Sequence, residues 1–115
     1  MNDQRTSGLF AKYGKTFQEK IFQCFITDNN WAAQMIEVMT PEYFELKYLS
    51  YLTDKYFLYF GKYKCFPTLP LLITIVRDDL VSDGDIVLRD QVVEFLHRIK
   101  TNPDVGDLEY VKDKS

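Results

Sequence analysis

The chain has one histidine, His97, two cysteines and no long apolar run. Each scarcity excludes something. One histidine and two cysteines without paired spacing do not assemble a tetrahedral zinc site. No nucleophile–base pair of the kind that drives covalent catalysis is recognisable either. The longest apolar stretch, Leu69 to Val76, falls short of the roughly 18 residues that cross a membrane. The opening Met1-Asn2-Asp3-Gln4-Arg5 has no apolar core of a secretion signal. A basic excess is missing as well. Fourteen lysines and arginines face 17 acidic residues, for a net charge of -3 and a pI near 5.1. Domains that grip nucleic acid through its phosphates usually carry the opposite balance. Cys24 and Cys65 stand in apolar sequence and are expected as two reduced core thiols of a cytoplasmic protein.

Fragments of two binding motifs fail on spacing. Gly14-Lys15-Thr16 looks like the tail of a phosphate loop, but the position that requires the first glycine holds Leu9. A loop that wraps phosphate with backbone N–H groups does not tolerate that slip. Asp83-Gly84-Asp85 looks like part of a calcium loop, but the next ligand position is Val87, which has no side-chain oxygen to offer. His97 lies off the apolar stripe of its helix and reads as a surface residue. Asp78-Asp79 reads as a solvated helix end. No catalytic, cofactor-binding or metal-binding residue is assigned, and the chain is expected not to be an enzyme.

What the sequence does have is an apolar content of 46% and an aromatic content of 16% over 115 residues. That is enough for one domain with a real core. Helical spacing dominates. Thr16-Phe17-Gln18-Glu19 reads as a capping box, followed by Phe17, Ile21, Cys24, Phe25 and Ile26 on one face. Asp28-Asn29-Asn30 breaks that helix and caps the next, with Trp31, Met35 and Val38 inward. Thr40-Pro41-Glu42 signals a third start, for a helix from Pro41 to about Phe60 with Gly61 as its stop. Thr68 caps a fourth, with Leu71, Leu72, Ile75 and Leu80 as its apolar positions. A strand over 71–76 is the competing reading there, because isoleucine and valine are enriched. Leu88, Val92, Phe95, Leu96 and Ile99 mark the cleanest helix, expected from Ile86 to about Lys100. Leu108 and Val111 open one more, which reads as a linker or a truncated helix. The expectation is an all-α bundle of about five to six helices. A flexible segment over 1–14 would precede a head over 15–103, and 104–115 would follow it.

Much of the aromatic content falls between Tyr43 and Phe66. Leu49, Leu52, Tyr56, Tyr59 and Tyr63 step along one stripe, and Phe44, Tyr48, Tyr51 and Leu52 along its neighbour. Together they are wider than one core-facing stripe requires. Part of this surface is core. The rest is expected as a protein–protein face, with Tyr51, Tyr56, Phe60 and Tyr63 as the interface residues. Lys47, Lys55, Lys62 and Lys64 interleave with the rings, so a stand-alone protein that binds single-stranded nucleic acid by stacking is the alternative.

Three segments resemble a known family. They are Lys15-Thr16-Phe17-Gln18-Glu19-Lys20 with Thr27-Asp28, then Pro41-Glu42-Tyr43-Phe44 with Tyr48-Leu49 and Leu52, then Phe66-Pro67-Thr68 with Leu71-Leu72 and Leu80. In this order, over residues 9 to 100, they resemble the N-terminal domain of DnaB-type replicative DNA helicases in the version of T4-like and marine bacteriophages. The resemblance implies a compact helical head without catalytic chemistry. Such heads self-associate as dimers, and as hexamers in the parent helicase, and form a collar that contacts primase or a helicase loader. ATP and magnesium would belong to a motor domain absent from this chain. The resemblance also implies the host-cell cytoplasm, weak or no nucleic-acid binding through the head, and no membrane.

Overall fold

The computed structural model describes Phe10 and residues 14–83, 85–101 and 106–114. Six helices run along them: α1 (Gly14–Thr27), α2 (Asn29–Ile36), α3 (Lys47–Tyr63), α4 (Leu69–Asp83), α5 (Ile86–Thr101) and α6 (Leu108–Lys114). The fold is all-α, and the strand alternative at 71–76 resolves as helix. The segment expected to be flexible over 1–14 lies outside the described residues except for Phe10 and Gly14, as do Gly84 and residues 102–105. Among the described residues no helix is long and apolar enough to cross a membrane.

α1 is the central element. Gln18, Glu19, Ile21, Phe22, Gln23, Cys24 and Phe25 are all buried, a run too continuous for a one-sided surface helix. The missing member of the sequence stripe was Phe22. Its ring meets Tyr56 at 5.6 Å and Phe95 at 6.0 Å, both edge-on. Phe25 packs against Trp31, Phe44 and Phe57. Edge-to-face pairs of this kind add to the area that the rings bury. The radius of gyration, 13.6 Å, matches the roughly 13 Å of a single packed domain of this length.

Several local expectations are corrected by tertiary contacts. α1 begins at Gly14, whose φ of 81° suits a residue without Cβ. Thr16 is therefore inside the helix, and Glu19 turns inward instead of closing a capping box. Val38 is 65% exposed, because α2 ends at Ile36 and the following turn changes its phase. Pro41 opens only a 3-10 turn, Pro41–Tyr43, and α3 starts later, at Lys47. Phe44 and Leu46 are extended between them. That extension drops Phe44 into the core against Phe10, at 5.0 Å. It also lets the Glu45 N–H donate to Gln18 Oε1 at 3.0 Å. A long-range hydrogen bond thus replaces a helical one.

α3 runs through Gly61 and ends at Tyr63. Lys64 caps it in the left-handed region with φ 62°, donating its N–H to the Phe60 carbonyl at 2.8 Å. The chain then leaves the helix, so Cys65 is exposed while Cys24 is buried. The expectation of two core thiols holds for Cys24 alone. Phe66 takes the inward place instead, stacked on Tyr56 at 4.7 Å and on Phe60 at 4.5 Å.

Thr68 caps α4 as expected, accepting from the Leu71 N–H at 3.3 Å. The buried face of α4 is Leu72, Ile73, Val76 and Leu80, whereas Leu71 is exposed and Ile75 half-buried. Asp85 caps α5 through Leu88 N–H at 3.0 Å. All five apolar positions expected on α5 are buried. α6 docks on α1 with Leu108 and Val111 inward. Lys112 holds it there by an ion pair to Asp28 at 2.9 Å. Short as it is, this helix is sustained by packing and not by propensity.

A candidate docking groove and a buried ion cluster

The four residues expected at an interface separate into three groups by burial. Tyr56 is only 1% exposed. Its hydroxyl donates to the Phe25 carbonyl at 3.3 Å and accepts from Asn29 Nδ2 at 3.1 Å. Burial pushes its pKa up to about 12. Tyr56 is core, because its stripe meets α1 at that height. Phe60 is half-buried beneath Phe66. Tyr51 is half-buried too, and its hydroxyl donates to Asp79 Oδ2, tying α3 to α4. Only Tyr63, at 54% exposure, presents its ring to solvent.

Tyr63 belongs to an open groove of about 630 Å³ between the end of α3 and the start of α4. Lys55, Leu58, Tyr59, Lys62, Leu71 and Ile75 complete its lining. Tyr59 and Tyr63 lean together with ring centroids 4.5 Å apart. Lys62 sits over Tyr63, its Nζ 5.3 Å from the ring centre, a weak cation–π contact at an exposed site. Lys55 pairs with Asp79 at 3.3 Å. Leu58 is 61% exposed, a large apolar side chain open to solvent. The stripe Leu49–Leu52–Tyr56–Tyr59–Tyr63 is one row in sequence, and α3 divides it. The first three residues are buried and the last two line the groove. Leu58 and Leu71 were not among the residues expected at an interface. The signal for them was the i, i+4 pairing of Leu58 with Lys62 and of Leu71 with Ile75, two short rows facing each other across the turn.

The other concentration of chemistry lies across the molecule. Glu19 is 7% exposed. Arg98 grips it through both terminal guanidinium nitrogens, and Tyr48 donates its hydroxyl to the same carboxylate. Arg98 reaches Glu94 as well, at 2.9 Å. Burial alone would raise the Glu19 pKa, but the hydrogen bonds of Arg98 and Tyr48 outweigh it, and the carboxyl lies below its ordinary range. Burial, helped by the bond to Glu19, drives the Tyr48 pKa upward. A carboxylate held ionised by a fork and a phenol is a poor proton carrier. The arrangement ties α1, α3 and α5 together and works as a structural clamp. His97 is exposed, with Nε2 3.3 Å from Arg77.

No family model, no curated protein and no solved structure matches the chain.

Proposed function

We propose that this chain is a non-catalytic assembly and partner-docking domain, of the kind that heads a phage replicative DNA helicase. The observation that carries the docking role is the groove at the end of α3. It places Leu58, Tyr63 and Leu71 in solvent side by side. Contiguous exposed apolar surface beside aromatic side chains marks interaction sites in small domains. The helicase assignment is supported by the resemblance of three segments, whose residues form the joints of the fold. Phe44 and Phe66 follow the two proline turns or precede them, and both pack inward. The parent would be the ATP-dependent enzyme, and its partners would be further copies of itself and a primase or helicase loader.

Sedimentation velocity tests the reading, with the chain alone and with the primase and loader of the same phage. Self-association, or a complex with either partner, is expected. A chain that stays monomeric and binds neither overturns it. Tight binding of single-stranded DNA with a steep salt slope would favour the nucleic-acid alternative instead.

A further inference from the structure

We propose that α6 is a releasable strap, which leaves α1 as a unit while the other five helices stay folded and uncovers Cys24 when it goes. This inference stands apart from the assembly role and does not need it.

The strap is held by little. α6 is seven residues long, Leu108–Lys114. A helix of that length does not persist in water by itself, so leaving α1 and unfolding are one event. Its buried residues are Leu108 and Val111, against five on α5. α1 is its main neighbour. Solvent already enters the seam between the two, an open cleft of about 390 Å³ where Phe17 of α1 meets Tyr110 and Val111 of α6. Elements with few buried contacts are the ones that open below global unfolding.

Ion pairs supply the latch. Lys112 Nζ reaches Asp28 Oδ2 at 2.9 Å, and Lys20 reaches Asp107 at 3.6 Å. The Asp28 carboxylate does two things at once. Oδ2 takes Lys112, while Oδ1 accepts the Trp31 N–H at 3.1 Å and caps α2. The latch can therefore be cut without removing the cap.

Cys24 lies beneath the strap. It is fully buried, and its Sγ donates to the Leu108 carbonyl at 3.7 Å. The charges that act on this thiol are Lys112, Asp28, Glu109 and Lys20. All four are members of the ion pairs made by α6 and the residue before it. With α6 docked the thiol is covered, and with α6 released it meets water, together with the apolar face of α1 on which Leu108 and Val111 sat. Cys24 thus reports the state of the strap.

Thiol modification at pH 8 in a Cys65→Ser background reads Cys24 alone. Its rate in the folded protein should exceed what global unfolding allows by roughly tenfold or more. The rate should stay nearly flat in urea below the transition, because opening so short a segment exposes little surface. Two variants cut the latch. Asp28→Asn keeps an oxygen for the Trp31 N–H, since asparagine caps as well as aspartate. Lys112→Met keeps an apolar stem against α1 and drops the charge. Each should speed Cys24 modification by about three- to tenfold, the span that loss of one ion pair gives. Phe95→Ala, which loosens the core beneath α5, should leave that rate unchanged. Amide exchange read by mass spectrometry gives a measure independent of the thiol. The α6 amides should exchange ahead of those in α5, and the two latch variants should accelerate α6 and not α5. A Cys24 rate that climbs with urea in step with global unfolding, or that neither latch variant alters, would make α6 an integral part of the core and overturn the strap. So would α6 amides as protected as those of α5.

Discussion

Arg98 forks across both carboxylate oxygens of Glu19, at 2.8 and 3.1 Å, from 79 residues further along the chain. The bond joins the central helix to α5, and Tyr48 brings in α3 through the same carboxylate. A charge this deeply buried is tolerated because its lone pairs are occupied.

Acid should release the clamp. The Glu19 pKa lies below its ordinary 4.5 in the folded chain, so the unfolded chain takes up the proton first. Stability from this group is complete above that ordinary value and is lost as pH falls through the folded pKa. Glu19→Gln should cost about 2 kcal/mol at neutral pH, less than a fully buried pair because Arg98 is half in water. It should also flatten the acid limb. Urea unfolding at a series of pH values reads both effects. Parallel curves for variant and wild type would show that the carboxyl titrates normally.

Phe95 sits where two rings and a cation converge, against Phe22, Tyr48 and the Arg98 guanidinium. Phe95→Ala should destabilise the domain by roughly 3–5 kcal/mol, a large share of the 5–15 kcal/mol typical of a domain. An unchanged melting curve would mean that α5 does not pack on α1 as described.

The two thiols should behave differently. Cys65 is exposed, whereas Cys24 is buried and its pKa is raised to about 11 by desolvation. A thiol reagent at pH 8 should modify one cysteine in the native protein and both in denaturant. Mass spectrometry of peptides should place the fast label on Cys65. Two equally fast thiols would contradict the burial of Cys24.

Gly61 lies within α3, and a Cβ built there meets nothing within 4 Å. Gly61→Ala should raise stability by about 0.5–1 kcal/mol. Had glycine been the left-handed cap that its sequence position implies, the same change would destabilise. The residue that does occupy that conformation is Lys64, so Lys64→Gly should be neutral or stabilising despite the flexibility it adds. Thermal melts of both variants decide between the two placements.

Most helices were legible in the order of residues alone, because an apolar face repeating every three or four residues has one economical explanation. α5 is the clearest case. Its five apolar positions follow from spacing alone. Thr68 and Asp28 acted as caps for the same local reason. The joints were less legible. Pro41 signals a helix start, but Phe44 gains more by entering the core in an extended conformation than α3 would by beginning six residues earlier.

The candidate site divided along the same line. Sequence alone determined that α3 carries more aromatic surface than one buried stripe uses; the structure carried the helix past Gly61 and so put Tyr63 on it. Which rings are covered was a matter of where other helices stop. Tyr56 and Tyr63 have the same period and the same side chain, yet α1 and Phe66 close over the first, while the second stays open to solvent. Local sequence sets the face on which a side chain lies. Only the tertiary structure decides whether a neighbour reaches far enough to bury it.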